Sequence, residues 1–243
     1  AQDLDNSTSD LAVNDDEVIS IENQDDMIVK ADEIDANHVS FVSDEELESA
    51  GDTVEPIPQV DSGTVSGGAD FTAVHPASTT GSLVYTVPED MTNLKSAIVI
   101  VNVYAGSANN THGLYSNVTL NTNNGLELLG YEALYLNGNV ENDPNVYSIN
   151  DHITKQDAEY QMLYDITNKV SNLNSGDAIT INVANSPYGS KEFDGRIKLI
   201  GLLFAYDDGD NDNYTYWLHA GQLWTQSSAS FDFNTRNYAG KTD

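Results

Sequence analysis

Arg196–Tyr206 reads RIKLIGLLFAY and carries the strongest β-strand pattern in the chain. Successive side chains of a strand point to opposite faces of its sheet, and in this stretch both faces are apolar. One face consists of Ile197, Leu199, Gly201, Leu203 and Ala205, and the other of Lys198, Ile200, Leu202, Phe204 and Tyr206. A strand of a two-sheet sandwich needs only one apolar face. The stretch therefore predicts a central strand whose outer face is covered by another part of the chain or by a second molecule.

The stretch AIVIVNVYA at 97–105 repeats this two-sided pattern. Burial of each Ile or Leu stabilises a fold by roughly 1.5–3 kcal/mol, so a bare outer face would be costly. Three covers are consistent with the sequence: the segment 151–172, an N-terminal arm, or a neighbouring subunit.

Further strand patterns, separated by polar turns, occupy most of the remaining chain. They include GSLVYTVPED at 81–90, two strands around an Asn-Asn-Gly turn at 116–138, and SGDAITINVAN at 175–185. Helical periodicity is weak and confined to 149–173, where YDIT at 164–167 also reads as a strand end followed by one helical turn. We predict an all-β, antiparallel β-sandwich, jelly-roll-like, with one short helical segment and an extended acidic N-terminal arm.

The chain is strongly acidic, because 39 Asp and Glu against nine Lys and Arg give a net charge of −30. Binding to nucleic acid or to anionic lipid needs a basic surface, so neither is expected. There is no cysteine, which excludes disulfides and thiolate chemistry. No apolar run is long enough to span a membrane, and the chain begins with Ala1-Gln2 rather than Met. These features predict a secreted, extracellular or cell-surface protein whose signal peptide has been removed.

Charge and composition divide the chain into three parts. Residues 1–55 hold 18 acidic residues and one basic residue, and we interpret them as an acidic arm or stalk. Residues 56–70 are the predicted linker, and residues 71–243 the predicted β-sandwich domain. Within the arm, the strand patterns at 16–23 and 25–32 and a capped helix pattern at 43–51 are compatible either with a disordered stalk or with an arm that donates a strand.

Three motifs resemble a domain of unknown function found in adhesin-like cell-surface proteins of methanogenic archaea. They are NDHITKQDAEYQMLYDIT at 150–167, DGRIKLIGLLFAYDDGDND at 194–212 and YWLHAGQ at 216–222, and the resemblance covers about residues 80–230. It implies secretion, a β-sandwich, and adhesion or surface structure. It brings no catalytic residues with it.

The acidic stretch DDGDND is a candidate metal site. Asp208, Asp210 and Asp212 alternate as at the start of an EF-hand calcium loop. The EF-hand pattern then requires Gly and Glu where the chain has Asn213 and His219, so that motif fails. Two interpretations stay open: a looser Ca²⁺ site on a β-hairpin, and a solvated hairpin tip. The fold itself is expected to need no cofactor.

Modification and glycan contact are the other candidate roles of surface residues. Four N-x-S/T sequons mark glycosylation candidates at Asn6, Asn109, Asn117 and Asn213. The aromatic residues around the acidic stretch could contact a glycan or form cross-strand pairs; they are Tyr214, Tyr216, Trp217 and Trp224. A glycan on Asn213 would compete with a cation for the same space.

Catalytic patterns are weak. The five histidines include no zinc motif, and His152 is the most site-like of them, although a loop histidine that satisfies backbone groups is the commoner case. Lys198, on the most apolar strand, is a candidate for an isopeptide crosslink or for a lysine whose stem packs on an outer face. We expect no enzyme.

The favoured hypothesis is a secreted archaeal adhesin-like or structural protein. It either mediates adhesion to the surface of other cells or assembles with itself into a pilus-like filament by N-terminal strand donation. The alternative is a carbohydrate-binding module or carbohydrate-active enzyme. A glycan partner belongs to the alternative, and neither hypothesis involves nucleic acid or membrane insertion.

Overall fold

The computed structural model describes residues 52–108, 111–135, 143–224 and 228, together with the backbone of 18–20 and 28–30. The chain divides into two compact units, Ala1–Ala36 and Asn37–Asp243. In the first unit, β1 (Val18–Ser20) pairs with β2 (Ile28–Lys30) in an antiparallel ladder. The two strands expected in the arm are therefore present, and they pair with each other. The helix expected at 43–51 lies outside the described residues.

The second unit is built from two antiparallel sheets and a two-stranded ribbon. The six-stranded sheet has the order β4-β13-β6-β11-β10-β9, the four-stranded sheet has the order β5-β12-β7-β8, and the ribbon pairs β14 with β3. The bounds are β3 Gln59–Val65, β4 Gly68–Val74, β5 Thr80–Thr86, β6 Asn93–Tyr104, β7 Leu114–Thr122, β8 Gly125–Leu134, β9 Tyr147–Ser148, β10 Ile153–Gln156, β11 Glu159–Asp165, α1 Thr167–Val170, β12 Ala178–Pro187, β13 Arg196–Asp207 and β14 Tyr214–His219. The predicted all-β sandwich with one short helical segment is confirmed.

The main core lies between the two sheets. The alternating apolar residues of β6 and β13 that face inward meet the inward residues of the four-stranded sheet, and representative members are Val101, Phe204, Leu83, Leu120 and Ile181. All five are essentially inaccessible to solvent. The strand predicted from RIKLIGLLFAY is β13, and it occupies the interior of its sheet between β4 and β6.

A bulge in β13 changes one detail of the predicted faces. Ile197 pairs with Val103 and Leu199 with Asn102, so Lys198 is the extra residue. Ile197 consequently joins the main core instead of sharing a face with Leu199 as the simple alternation predicted. The Lys198 ammonium lies over the Tyr104 ring, 5.3 Å from its centre, which agrees with a stem that packs on an outer face.

The second apolar face of β6 and β13 is covered by the ribbon. Ile98, Ile100 and Leu203 form a second apolar cluster, against which Val60 of β3 and Leu218 of β14 pack. The ribbon was not among the three expected covers. It pairs residues about 150 positions apart in the chain, and such long-range pairing leaves no local pattern.

Two segment predictions change with this arrangement. The predicted linker 56–70 contains β3 and the start of β4, because its residues complete the ribbon and the sheet edge. The segment 151–172, expected as a helical cover, supplies β10, β11 and the single-turn helix α1. The alternative interpretation of YDIT as a strand end followed by one helical turn is confirmed.

Gly221→Ala is expected to loosen the ribbon. A Cβ at Gly221 would overlap the carbonyl oxygen of Pro56 and approach the Cα of Ile57 to 2.8 Å, where the residues that follow β14 contact those that precede β3. Overpacking of this kind typically costs about 1–3 kcal/mol. Urea unfolding followed by tryptophan fluorescence reports the change, because both tryptophans, Trp217 and Trp224, lie in or next to the ribbon.

The matched control is Gly68→Ala, whose Cβ would have the side chain of Tyr206 as its nearest neighbour, at 3.3 Å from the hydroxyl oxygen. We expect a cost below about 1 kcal/mol there, since a side chain yields more readily than backbone. If the two variants lower the free energy of unfolding equally, the close contact between Gly221 and the backbone of Pro56 and Ile57 does not limit the side chain at position 221.

Candidate functional site

The acidic hairpin tip connects β13 to β14. The chain turns at Gly209, whose φ of +92° lies in the region that glycine adopts at least cost. The Asp210 amide donates to Asp208 Oδ1 at 3.1 Å, and the Asp212 amide donates to Asp210 Oδ1 at 3.0 Å. These turns curl the three carboxylates toward one another, and one oxygen from each lies within 4.8 Å of the others. The predicted set is therefore brought together.

Like charges dominate the electrostatics of this tip. A hydrogen bond with the Asp212 carboxyl raises the pKa of Asp210, and the neighbouring carboxylates act in the same direction. The Tyr214 hydroxyl donates to Asp212 Oδ2 at 2.9 Å. Asp207 is separate from this group, because its Oδ2 forms a salt bridge with Lys95 Nζ at 2.8 Å. A cation would relieve the repulsion among the three carboxylates, and Ca²⁺ remains a prediction.

Calcium titration by calorimetry tests the tip. If the three carboxylates bind Ca²⁺, we expect a dissociation constant of about 10⁻⁴–10⁻³ M, the range of extracellular calcium modules. Asp210→Ala removes the middle ligand and should abolish the heat. Glu89→Gln removes an exposed carboxylate elsewhere and should leave it unchanged. If the wild-type chain gives no heat on Ca²⁺ addition, the Ca²⁺ interpretation is contradicted and the solvated hairpin tip is the interpretation that stands.

The ribbon and the six-stranded sheet enclose a groove of about 660 Å³. Tyr216 and Trp217 of β14 line one side and Phe71 of β4 lines another. Two amides, Asn102 and Gln161, lie in the same groove, with Gln161 Nε2 donating to Asn102 Oδ1 at 3.0 Å. Aromatic faces beside amides are suited to hydroxyl-bearing ligands.

The four predicted glycan contacts do not form one site. Tyr216 and Trp217 line the groove, whereas Tyr214 is exposed on the acidic tip. Trp224 follows the ribbon and is not among the groove residues. Tyr216 also has a structural role, since its hydroxyl donates to Asp61 Oδ2 at 2.9 Å across the ribbon. Burial and that bond raise the pKa of Tyr216 to about 12.

The sequon positions have different environments. Asn213 is exposed on the acidic tip and is accessible to a glycan, whereas Asn117 is only 7% exposed on the interior strand β7. The side chain of Asn117 is largely enclosed by its surroundings, and its glycosylation stays a prediction. Asn6 and Asn109 lie outside the described residues.

His152 belongs to an ionic network that links the two sheets. Its Nε2 lies 3.2 Å from Glu132 Oε1, and its Nδ1 lies 2.6 Å from Asp151 Oδ1. Glu132 lies on β8, is 2% exposed, and also accepts from the Tyr164 hydroxyl at 3.4 Å. Burial opposes the charged ring, yet the bonds to the two carboxylates raise the pKa of His152. The network connects β8 with the segment before β10, and its key partner, Glu132, carried no signal in the sequence.

The outward side of the four-stranded sheet is a surface that the sequence did not reveal. We call it the neutral face. Its seventeen positions alternate with core residues along each strand and share a face by cross-strand pairing. They are Thr80, Ser82, Val84 and Thr86 of β5, Tyr115, Asn117, Thr119 and Asn121 of β7, Leu126, Leu128, Tyr131 and Ala133 of β8, and Ala178, Thr180, Asn182, Ala184 and Ser186 of β12.

None of the seventeen outward positions carries a charge, and nine of them are Ser, Thr or Asn. At the chain average of 20% charged residues, three or four charges would be expected. The charged residues that these four strands do contain, Glu127 and Glu132, face inward to Lys169 and His152. The absence of charge on an outward face of so acidic a protein is its most distinctive surface feature.

A row of tyrosines borders the neutral face. Tyr131 stacks on Tyr115 with ring centres 5.2 Å apart, and Tyr115 contacts Tyr188 at 4.9 Å. Tyr188 in turn stacks on Tyr135 at 5.5 Å, and the Lys191 ammonium lies 4.1 Å from the centre of the Tyr135 ring. The row begins with Tyr131 on β8 and continues across Tyr115 on β7.

The family model described as "Protein of unknown function (DUF3344)" matches residues 48–243. The chain belongs to this family. No curated protein matches the chain, and no solved structure matches it. The family region includes β3, so the ribbon belongs to the family domain even though part of it falls in the predicted linker. Within the described residues, no helix combines the length and hydrophobicity needed to cross a membrane.

Proposed function

We propose that this protein is a secreted, adhesin-like protein of an archaeal cell surface that acts by binding rather than by catalysis. The observation that carries the proposal is the charge-free neutral face on a chain of net charge −30. The sequence resemblance to adhesin-like surface proteins of methanogenic archaea supports the compartment and the role.

The distribution of charge favours contact through this face. A partner that approaches elsewhere must displace water from many carboxylates, and desolvation of an unpaired charge is expensive. Hydroxyl and amide groups lose less on desolvation and can exchange water for hydrogen bonds to a partner. The rest of the surface, being acidic, keeps the protein soluble and separate from other copies.

The filament version of the proposal now has less support. It was motivated by an uncovered apolar face, and the ribbon covers that face within the chain itself. The two described strands of the arm pair with each other. Strand donation by the arm stays a prediction that a variant lacking residues 1–50 tests, because loss of assembly on truncation would restore the filament hypothesis.

Adhesion can be measured with beads coated with the full chain. Fluorescent beads are incubated with cells of a methanogenic archaeon and washed at physiological salt. We expect wild-type beads to remain attached, beads carrying Tyr131→Ala to wash off, and beads carrying Glu89→Gln to behave as the wild type. Attachment no greater than that of beads coated with an unrelated protein of similar net charge would contradict the proposal.

The groove beside the ribbon favours a second candidate function, a carbohydrate-binding module. Tyr216, Trp217 and Phe71 supply aromatic surface, and Asn102 and Gln161 supply amides. Trp217→Ala is the variant that tests it. Loss of saccharide binding in that variant, with binding retained in Tyr131→Ala, would place the ligand in the groove.

A further inference from the structure

The neutral face suggests a ligand class as well as a role. We propose that it binds a neutral glycan, with Tyr131 as the aromatic platform and with Asn117, Thr119 and Asn182 as hydrogen-bonding groups. This inference rests on the proposed adhesive function and adds to it the chemistry of the partner and the residues that contact it.

Two polar atoms on this face have no partner among the described residues. Asn117 Oδ1 and Thr119 Oγ1 are buried and make no hydrogen bond there, and the Thr119 residue is only 2% exposed. Buried polar groups are nearly always satisfied, so each exception calls for an explanation. Within the described chain, the elements in most extensive contact with β7 are its sheet neighbours β8 and β12. Binding through these two atoms requires a side-chain rotation that exposes them to a ligand hydroxyl.

The register arranges these groups in rows across the sheet. Ser82 pairs with Asn182, Asn182 with Thr119, and Thr119 with Leu128. Neighbouring strands lie about 4.8 Å apart, so this row of four residues spans roughly 14 Å. The span fits an oligosaccharide laid across the strands better than a single sugar. Hydroxyl and amide groups along one line can meet successive ring hydroxyls, acting as donor or acceptor as required.

Tyr131 closes one side of this row. Among the described rings, only Tyr115 stacks on it. Tyr115 pairs with Ala133, on the far side of Tyr131 from Leu128. By register, Leu128 and Thr119 lie on the other side of Tyr131, where no second ring among the described residues stacks on it. A sugar ring placed over the polar row would pack its C–H face against this ring.

The charge of the protein and of each possible ligand indicates which of them could bind to the neutral face. Two copies of the chain each carry a charge of −30 and repel each other, which disfavours a self-interface. Acidic glycans are disfavoured for the same reason. A basic protein would be drawn to carboxylates, and this face has none. A neutral, hydroxyl-rich ligand is the remaining chemistry that gains from contact here.

The experiment probes the purified full chain on a printed array of neutral gluco-, manno- and galacto-oligosaccharides, with sulfated and sialylated glycans on the same array. Calorimetry with the best-bound oligosaccharide then compares Tyr131→Ala, Tyr131→Phe and Thr119→Val. Controls are Thr72→Val, the same change on β4 of the other sheet, and Trp217→Ala in the groove.

We expect the wild type to bind neutral oligosaccharides and not the acidic ones. Tyr131→Ala and Thr119→Val should each weaken binding about tenfold or more, as expected for loss of one stacking contact or one hydrogen bond in a water-excluded contact. Tyr131→Phe, which keeps the ring, should retain most of the affinity, and both controls should bind as the wild type does. Thr119→Val should unfold at the same or a higher temperature than the wild type, because it removes an unpaired hydroxyl, and this separates a binding role from a structural one.

Three results would overturn the inference. The first is no binding to any neutral glycan on the array. The second is binding that is lost in Trp217→Ala and unchanged in Tyr131→Ala. The third is sedimentation of the wild type as a dimer that Tyr131→Ala dissociates. If glycan binding fails while bead adhesion still depends on Tyr131, the ligand class is wrong and the adhesive function stands. If the beads themselves do not adhere, the proposed function fails.

Discussion

His152→Ala is expected to lower the free energy of unfolding by about 3–5 kcal/mol, the cost typical of breaking a buried ion pair by removing one partner. Glu132 is 2% exposed, and its Oε1 lies 3.2 Å from His152 Nε2. Without the imidazolium, the Glu132 carboxylate loses its cationic partner and keeps the hydrogen bond from the Tyr164 hydroxyl, at 3.4 Å. A buried carboxylate in that state is strongly disfavoured.

Two controls separate this effect from loss of packing. Asp151→Ala removes the other carboxylate that contacts His152, but its side chain is 93% exposed, so the cost should stay below about 1 kcal/mol. The double variant His152→Ala with Glu132→Gln should be more stable than His152→Ala alone, because it removes a buried negative charge that has lost its cationic partner. If His152→Ala lowers the free energy of unfolding by less than about 1 kcal/mol, the ion pair does not make a contribution of the predicted size.

The same network makes stability depend on pH. The folded protein holds the pKa of His152 above its ordinary value of 6.5, so the folded state binds the proton more tightly than the unfolded chain. The resulting stabilisation is fully present below about pH 6.5 and is lost as the pH rises through the folded pKa. Urea midpoints measured between about pH 6 and pH 9 should therefore converge for the wild type and His152→Ala. If the urea midpoints of the two proteins stay the same distance apart over this pH range, His152 is not the source of the pH dependence.

Lys155→Met is expected to stabilise the protein by about 3 kcal/mol at neutral pH, because the pKa of Lys155 falls from 10.5 to about 8 on folding and one pKa unit corresponds to about 1.4 kcal/mol. Lys155 is 1% exposed, and its ammonium has no hydrogen-bond partner among the described residues. The ammonium lies 5.8 Å from the centre of the Tyr160 ring. Burial lowers the pKa of Lys155 from 10.5 to about 8, although the charges of Asp157 and Asp143 oppose the change. Met fills a similar volume without the charge.

The pH dependence of this variant has the opposite sign to that of His152. The folded state binds the Lys155 proton less tightly than the unfolded chain does, so the destabilisation is complete below about pH 8 and disappears between pH 8 and pH 10.5. The advantage of Lys155→Met should shrink over that interval. Lys198→Met is the matched control, since Lys198 is only partly buried, and it should change stability by less than about 0.5 kcal/mol. Destabilisation by Lys155→Met would overturn the interpretation.

The sequence predicted the elements whose signals are local. The two-sided apolar pattern of 196–206 predicted an interior strand, and β13 is one. Alternation at 175–185 predicted β12, and the Asn-Asn-Gly turn predicted the β7–β8 hairpin. The alternating aspartates at 208–212 predicted a carboxylate cluster that the hairpin turn does assemble. Each of these depends on residues within about ten positions of one another, where backbone periodicity alone is informative.

The features that the sequence could not supply depend on distant pairing. Trp217 could be recognised as an aromatic residue, but its groove forms only when β14 pairs with β3 and the ribbon lies on the sheet. Glu132 was one carboxylate among 39, and only the packing of the two sheets brings it to His152. Lys155 lies in the segment 149–173, whose weak helical periodicity gave no indication that its strand would bury it.

By itself, the sequence determined an acidic, cysteine-free β-sandwich with central strands that need burial on both faces, because composition and alternation act on each segment alone. The tertiary structure decided what covers those strands, which carboxylate faces which base, and that the outward residues of four separate strands make one face without charge. These are properties of register, and register is set by contacts between segments that are far apart in the chain.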